Sequence, residues 1–267
     1  IMGRLLEAIS GYETAPGTTQ TALTMSSGDS RTVKSAKPGS KILLLAAWAD
    51  NQGAGTLRIF SSRMHDAAQG LRLRVTASEV DNLLPEGAIQ KLFSNDSITI
   101  DLSGSATAGD VESAVLLFYY EDIDGHDSKL ITHDELQKRG MNEMAVENTL
   151  ALGTGGGWTG AEAINVEFDQ IKADAYYALA GFIVDGECAA VAWRGPDTAN
   201  ARVAGPGNEL DRNITKSWFV DLARRFNMAL IPVFNGNNKG TIQVDGMQDE
   251  NGTDVLVNTI LVELAKV

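Results

Sequence analysis

The sequence predicts an all-β fold made of two tandem β-sandwiches with short helices. Glycine is abundant at 27 residues, proline is scarce at 6, and short runs rich in Val, Ile and Thr recur along the 267 residues. The order of these runs in the first half of the chain repeats in the second. Short β-prone runs separated by glycine-rich turns are typical of sandwiches, and the length suits two domains.

The repeat is clearest at the end of each half. Residues 98–101 (ITID) are followed eight residues later by Asp110-Val111, and residues 242–245 (IQVD) by Asp254-Val255, so both parts lie 144 positions apart. Each Asp-Val pair opens a long apolar run. Such self-similarity is the mark of a duplicated unit, and each copy must close its own sheets around a core.

The remaining elements follow the same order in both halves. Helix 85–93 has Pro at a favourable first-turn position, and helix 215–226 has a Thr cap and apolar residues at helical spacing. The predicted strands are residues 41–50, 56–61, 98–101 and 111–120 in the first half, and residues 164–171, 175–185, 188–194, 242–245 and 255–264 in the second.

The segments outside these repeats predict an arm and a connector. Leu5, Leu6 and Ile9 fall on one face of a helix, so residues 3–12 are expected to be an amphipathic helix. Thr132 and Glu135 form a capping-box pattern that opens a helix over 133–150, and the glycine-rich run 153–160 is expected to be a flexible joint. The predicted domains are an arm at 1–20, a sandwich at 21–125, a connector at 126–160 and a sandwich at 161–267.

Charge and composition exclude several classes of partner. The net charge of -13 argues against sequence-independent binding to nucleic acid and against electrostatic binding to anionic lipid. No run approaches the ~18 apolar residues that span a bilayer, and the start lacks a signal-peptide pattern. Cys188 is the only cysteine, so an intrachain disulfide is impossible and a reducing compartment is expected.

The sequence shows no pattern of catalytic residues. Residues 155–160 (GGGWTG) match a dinucleotide-binding glycine pattern, but they follow a predicted helix and enter a strand, which is the wrong context. His65, His126 and His133 lack metal-ligand spacing, and Cys188 lies in an apolar strand-like run, where a buried, inert thiol is expected. We therefore predict that the chain is not an enzyme.

One acidic turn has the composition of a calcium site. Asp122, Asp124 and Asp127 are hard oxygen ligands on a turn that contains glycine, which suits Ca²⁺. The run from Asp124 to Glu135 partly resembles an EF-hand loop, but Lys129 stands where that loop needs glycine. A solvated acidic turn is the alternative. The repeated Asp101/Asp110 and Asp245/Asp254 pairs are expected to cap turns, although ion binding is an alternative for them also.

The chain resembles the double jelly-roll major capsid proteins of tailless, membrane-containing phages, close to the corticovirus type. The resemblance rests on the duplicated sandwiches, on the acidic balance, and on the repeat of residues 98–101 and 110–111 at 242–245 and 254–255. The resemblance implies two jelly rolls, a homotrimer that forms a pseudo-hexagonal tile, and an icosahedral shell over an internal membrane. It further implies neighbouring tiles and penton or membrane-associated virion proteins as partners, no direct binding of nucleic acid, calcium as a stabilising ion, synthesis in the host cytoplasm and no catalytic residues.

Three alternatives stay open from the sequence. A carbohydrate-binding jelly-roll module would show an exposed aromatic row, although Trp48 and Trp193 lie in apolar strands where core filling is expected. A hydrolase built from two jelly rolls would place a carboxylate pair in a cleft between its domains. A phage tail, spike or decoration component would be structural but would not form a tile.

Overall fold

The computed structural model describes residues 3–64, 66, 68–75, 90–159, 162–164, 170–207, 215–248 and 252–266. These residues form four antiparallel sheets, two in each half, which pack in pairs as sandwiches around apolar cores. The prediction of an all-β protein with tandem jelly-roll sandwiches and short helices is confirmed. Within the described ranges, no helix is long and apolar enough to cross a membrane.

In the first half, the described residues form nine strands in two sheets. One sheet has the order β3-β1-β9-β4-β7 and the other the order β2-β8-β5-β6. The strands are β1 (Arg4–Thr14), β2 (Thr21–Ala22), β3 (Thr24–Met25), β4 (Ile42–Asp50), β5 (Gly55–Phe60), β6 (Leu71–Val75), β7 (Gln90–Lys91), β8 (Thr99–Ser103) and β9 (Val111–Glu121).

The part of the second half that the structure describes also forms nine strands in two sheets. Their orders are β10-β16-β13-β18-β11 and β12-β17-β14-β15. The strands are β10 (Leu130–Ile131), β11 (Gly140–Leu150), β12 (Glu162–Ala163), β13 (Tyr176–Asp185), β14 (Ala190–Arg194), β15 (Val203–Pro206), β16 (Ile231–Asn235), β17 (Gln243–Gly246) and β18 (Val255–Leu264).

The two halves share one topology. Strands β11, β18, β13 and β16 follow the order of β1, β9, β4 and β7, and strands β12, β17, β14 and β15 follow that of β2, β8, β5 and β6. The register of β4 shifts between Leu44 and Ala46, and that of β13 shifts at the matching place, between Leu179 and Gly181. An irregularity at the same point of both copies agrees with duplication, because bulges are retained within families.

In the last strand of each half, β9 and β18, the structural repeat is offset by one residue from the repeat that the sequence predicts. Beside the shift, Leu44 of β4 pairs with Phe118 of β9, and Leu179 of β13 pairs with Leu261 of β18. Phe118 and Leu261 are therefore equivalent, and they are 143 positions apart, whereas the sequence repeat predicts 144. The Asp-Val pairs therefore do not occupy equivalent positions. On the preceding strand, Ile100 and Val244 are 144 positions apart and both contribute to their cores.

Two segments that were predicted as helices are strands. Residues 4–12 belong to β1, which pairs with β9 from end to end, so the prediction of a helix at 3–12 is wrong. Residues 140–150 form β11, which pairs with β18, so the predicted helix 133–150 is wrong beyond Arg139. Leu5 and Leu6 are both fully buried, and a strand buried on both faces loses the alternation that identifies it.

Both α-helices that the structure describes begin near the predicted positions, and two short 3-10 helices, Pro196–Thr198 and Gly236–Thr241, accompany them. Helix α1 (His133–Arg139) opens with the capping box of Thr132 and Glu135, as predicted. Helix α2 (Trp218–Phe226) confirms the second predicted helix. In the predicted helix 85–93, residues 85–89 lie outside the described residues and residues 90–91 form β7, so the prediction is wrong there. Of the predicted strand 164–171, residues 165–169 also lie outside the described residues.

The apolar side chains form two clusters. The first fills the space between the two sheets of the first half, around Phe118, Ile100 and Leu44. The second fills the second half and continues onto the other face of the β1-β9-β4 sheet, where it takes in Leu6 and Trp48. The β1-β9-β4 sheet is therefore buried on both faces, and the two sandwiches share a continuous apolar interface.

Candidate functional site

The two halves meet at a seam, where the outer face of the β1-β9-β4 sheet packs against the second half. Trp48 on β4 is 1% exposed, and its indole Nε1 donates a hydrogen bond to the carbonyl oxygen of Ala189 at 3.2 Å. Its ring meets the ring of Trp218 on α2 edge to face, with centroids 5.5 Å apart and an angle of 77°. Large aromatic rings with a satisfied polar atom contribute strongly to such interfaces.

A buried ionic network, the seam triad, joins Asp29, Arg202 and Asp245. Arg202 Nη1 lies 2.9 Å from Asp29 Oδ1, and Arg202 Nε lies 3.3 Å from Asp245 Oδ2. Their side chains are 13%, 6% and 1% exposed, in the order Arg202, Asp29 and Asp245. A planar guanidinium can serve two carboxylates at once, so a single side chain of the second half holds both an aspartate of the first half and one of its own.

The triad is completed by backbone and aromatic contacts from both halves. Asp29 Oδ2 also accepts hydrogen bonds from Ser10 N at 2.9 Å, from Ser10 Oγ at 2.8 Å and from Trp158 Nε1 at 3.2 Å. The Arg202 guanidinium lies 5.1 Å from the centroid of the Trp158 ring. Ala8 N donates to Arg202 O at 2.7 Å. The carboxylate of Asp29 is thus well satisfied, as a buried charge must be.

A cleft of about 450 Å³ opens beside the triad, and Glu7, Trp158, Arg194 and Arg202 contribute to its wall. The charged groups of the seam triad are paired with one another, and such ion pairs are suited to fixing the relative position of two surfaces. A general base, by contrast, needs an acceptor within reach of a substrate proton. The arrangement is therefore that of a joint between two domains.

A second buried carboxylate fastens the connector to the second half. Asp197 contacts the ammonium of Lys129, and its Oδ2 accepts from Asn235 N at 3.0 Å and from Asn238 Nδ2 at 2.7 Å. Burial by itself raises the pKa of Asp197. The ammonium of Lys129 and the two hydrogen-bond donors outweigh burial, so the pKa is held below its usual range.

The three aspartates of the predicted calcium site lie in different surroundings. Asp122 adopts a left-handed backbone, and its Oδ2 accepts from Ser40 Oγ at 3.3 Å. Asp124 is 86% exposed and lies 3.7 Å from Lys37 Nζ, and Asp127 is exposed at the wall of another cleft. Across the described residues, no group of three or more His, Cys, Asp or Glu side chains is placed to hold a metal ion. Calcium binding here stays a prediction.

The EF-hand resemblance does not extend to the side chains. Glu135 Oε2 accepts from Thr132 N at 2.9 Å, so this carboxylate closes the capping box of α1. Lys129, which stands in place of the glycine, binds Asp197 with both its ammonium and its backbone N–H. The loop is therefore organised by contacts to the second half.

The repeated aspartates have separate roles. Asp101 lies opposite Arg58 in the β5–β8 pairing, with Arg58 Nη1 3.5 Å from its Oδ2. Asp245, 144 positions later, belongs to the seam triad. The backbone of Asp110 takes part in a turn with Thr107, as expected of a turn residue, and Asp254 is exposed.

Part of the glycine-rich run packs against the first half. Gly155, Gly156 and Gly157 all have positive φ, and a Cβ added at Gly156 would lie 2.4 Å from Cδ2 of Tyr12. Gly156 and Gly157 thus turn the chain against an aromatic ring of the first half, whereas a Cβ added at Gly155 would meet nothing within 4 Å. The flexible joint at 153–160 stays a prediction. Trp158, the next residue, reaches the seam triad.

Among the described residues, Cys188, His126 and His133 belong to no cluster of three or more metal-ligating side chains. Cys188 is fully buried, as predicted for an inert thiol. His133 begins α1, and His126 is half-buried in the turn before it. His65 lies outside the described residues.

Comparison with known proteins gives weak likenesses only. No family model and no curated protein matches the chain. Among solved structures, the chain is similar to the PBSX exported protein XepA, with 10% identity over 96% of this chain and 86% of that one and a TM-score of 0.28. It is also similar to the STIV MCP, an archaeal virus major capsid protein, with 9% identity over 96% of both chains and a TM-score of 0.22. TM-scores this low carry no argument about function.

Sequence reasoning missed the seam triad. Asp29 lies in a segment rich in Ser, Thr and Gly, and it is separated from Arg202 by 173 residues. Asp245 was identified only as part of the repeat. No local pattern marks an ion pair that forms between two domains. The one available signal was an aspartate within the predicted strand 242–245.

Proposed function

We propose that the chain is a structural coat subunit of a virion, with no catalytic activity. Three copies form a homotrimer with six sandwiches, and this pseudo-hexagonal tile packs into an icosahedral shell over an internal membrane. The division between the two jelly-roll domains falls within the connector 126–160. The chain is made in the host cytoplasm and is located in the virion.

The observation that carries this proposal is the seam between two sandwiches of the same strand order. One chain thereby presents two nearly equivalent blocks in a fixed relation, tied by the Trp48–Trp218 contact and the Arg202 ion pairs. Closed rings with rotational symmetry are the usual form of homo-oligomers, and three such chains give a ring of six similar blocks. A coat subunit needs reproducible surfaces of this kind.

The proposed partners follow from the charge and from the tile. Lateral neighbours are further copies of the trimer, and penton or membrane-associated virion proteins complete the shell. Direct contact with nucleic acid is not part of the proposal, because a net charge of -13 opposes binding to phosphates.

Native mass spectrometry and negative-stain imaging of the purified chain test this function. The expected result is a trimer with a six-sided outline. A chain that stays monomeric at high concentration contradicts the proposal. Binding of the monomer to a glycan array favours a carbohydrate-binding module. Turnover of a substrate that is lost on changing one carboxylate favours a hydrolase.

Calcium is proposed as an ion that bridges acidic faces between subunits. The support is the acidic balance of the chain and the oxygen-rich turn at Asp122, Asp124 and Asp127. We expect excess chelator to dissociate the assembly or to lower its melting temperature, and added Ca²⁺ to reverse the effect. Melting that is unchanged in excess chelator contradicts the role of calcium and leaves the coat function standing.

A further inference from the structure

Arg194, at the end of β14, is a half-buried arginine whose guanidinium has no partner among the described residues. Its Nε is buried and takes part in no hydrogen bond, and no described carboxylate lies within ion-pairing distance of the guanidinium. Removing a charged group from water costs free energy that ion pairs and hydrogen bonds must recover. An unsatisfied polar atom of this kind calls for an explanation, and a ligand from outside the chain provides one.

The strand register brings a second arginine beside Arg194. Strands β14 and β15 pair as far as Trp193 with Val203. One further step of this register places Arg194 opposite Arg202. On its other side, Arg194 pairs with Gln243, which is uncharged. Because like charges directly opposite each other destabilise a strand pair, a negative group bound beside the two arginines would be stabilising.

The carboxylates in the wall of the cleft beside the seam triad are already paired with other cations. Glu7 lies in this wall, and its carboxylate contacts the ammonium of Lys34. Asp29 lies in the same wall, and its Oδ1 lies 2.9 Å from Nη1 of Arg202. Arg194 also lines the cleft. Among the described residues of the wall, it is therefore the cation that remains without an anion.

The cleft has room for a small molecule next to Arg194. Its volume of about 450 Å³ lies within the range of small-molecule sites, roughly 300–1,000 Å³. Part of the wall is apolar, since half-buried Trp158 lines it together with Ala8 and Ala201. An apolar wall beside an unpaired cation fits a molecule that has an apolar body and one negative group.

We infer that this cleft binds a small organic monocarboxylate. The carboxylate binds the guanidinium of Arg194, whose planar fork matches two carboxylate oxygens, and the apolar body contacts Trp158. A single charge is favoured over the double charge of phosphate, because the carboxylates of Glu7 and Asp29 lie in the same wall and the chain carries a net charge of -13. The inference goes beyond the proposed coat function and does not depend on it, because every residue that it uses belongs to one chain.

Titration with benzoate tests the site, and benzamide is the matched neutral probe. The two molecules share an aromatic body, and benzoate alone is charged at neutral pH. We expect benzoate to shift the indole N–H signal of Trp158 saturably in NMR spectra of the purified chain. It should also raise the melting temperature, because a ligand that binds the folded state alone stabilises that state. Benzamide should bind roughly tenfold more weakly or worse, which is the loss expected for a charge-assisted hydrogen bond.

Replacing Arg194 with methionine removes the charge and keeps an unbranched side chain. R194M should bind benzoate roughly tenfold more weakly than wild type, or worse. Without ligand, its melting temperature should equal or exceed that of wild type, because the arginine has no partner to lose. A purely structural role of Arg194 would instead lower the melting temperature and leave benzoate binding unchanged.

The matched control is R72M. Arg72 is an exposed arginine on β6 and lies outside the lining of the cleft. This variant removes the same charge from the chain as R194M does, so a loss that came from net charge alone would appear in both. We expect R72M to bind benzoate as tightly as wild type.

Four results would overturn the inference. The first is equal binding of benzoate and benzamide, and the second is the lack of saturable benzoate binding at millimolar concentrations. The third is tighter binding of inorganic phosphate than of benzoate, which contradicts the single charge. The fourth is an R194M variant that binds as wild type does, or an R72M variant that loses binding equally. None of these measurements depends on the number of copies in the assembly, so they leave the coat function standing.

Discussion

Trp48 and Trp218 lie 170 positions apart along the chain and meet edge to face at the seam, with ring centroids 5.5 Å apart. Trp48 belongs to the first half and Trp218 to helix α2 of the second. The contact makes each half part of the other's core, so the two sandwiches should unfold together.

Replacing Trp48 with alanine is expected to uncouple the unfolding of the two halves, so that each half unfolds at its own denaturant concentration. The variant loses the ring contact and the hydrogen bond to Ala189, at a cost of about 3–5 kcal/mol in the free energy of unfolding. Denaturant unfolding followed by fluorescence should then show two transitions in place of one. The control W193A removes a ring from the core of the second half and should lower stability while leaving one transition; two transitions in this control as well would contradict the special role of Trp48.

Replacing Arg202 with methionine is expected to cost about 3–5 kcal/mol, because it leaves the carboxylates of Asp29 and Asp245 buried without their cation. The triple change D29N/R202M/D245N should cost less than R202M alone, since it removes the charges together. Urea unfolding at neutral pH measures both. A triple variant that is less stable than R202M would show that the triad contributes net stability through its charges.

Asp197 should make stability depend on pH in the acid range. Its folded-state pKa is lowered by Lys129 and by the donors of Asn235 and Asn238, which outweigh burial. The carboxylate therefore contributes stability that is fully present above the unfolded pKa of about 3.9 and is lost as pH falls through the lower, folded value. D197N should be less stable than wild type by about 1–3 kcal/mol at pH 7. The difference should shrink below about pH 4.

The matching control for this prediction is K129M, which removes the cation but keeps the two hydrogen-bond donors. It should reduce the pH dependence of the wild type without abolishing it. Urea unfolding between pH 3 and pH 7 measures both variants. A difference between wild type and D197N that stays constant over that range would contradict the role of the charged carboxylate.

Gly156 should be less tolerant of alanine than its neighbour Gly155. Both have positive φ, so alanine at either position costs about 1–2 kcal/mol of backbone strain. At Gly156 the added Cβ would also lie 2.4 Å from Cδ2 of Tyr12, whereas at Gly155 it would meet nothing within 4 Å. Thermal melting of G156A and G155A isolates the clash, and equal loss in both variants would contradict the close packing against Tyr12.

The sequence predicted well where turn residues bound a long apolar run or where a helix carries its own signals. The predicted strand at 41–50 became β4, and the apolar stripe of Trp218, Phe219 and Leu222 became α2. It failed at β1, because the short apolar pair Leu5-Leu6 followed by Ile9 fits a helix and a strand buried on both faces equally well. It also failed at β11, where a capped helix runs directly into a strand at Gly140 without a break in polarity.

The candidate site was less predictable than the fold. The turn at Asp122, Asp124 and Asp127 was identified from composition, which reports on the types of ligand but gives no positions. The seam triad joins Asp29 and Arg202 across 173 residues, and no local rule connects them.

The amino-acid sequence by itself determined the β class, the duplication and the order of most strands, because turn residues, apolar runs and capping patterns act over short distances. Only the tertiary structure decided that the outer face of β1-β9-β4 is buried, that Arg202 bridges Asp29 and Asp245, and that the last strands are offset by 143 rather than 144. These features depend on how two finished sandwiches pack, and packing between distant segments leaves no periodic trace in either one.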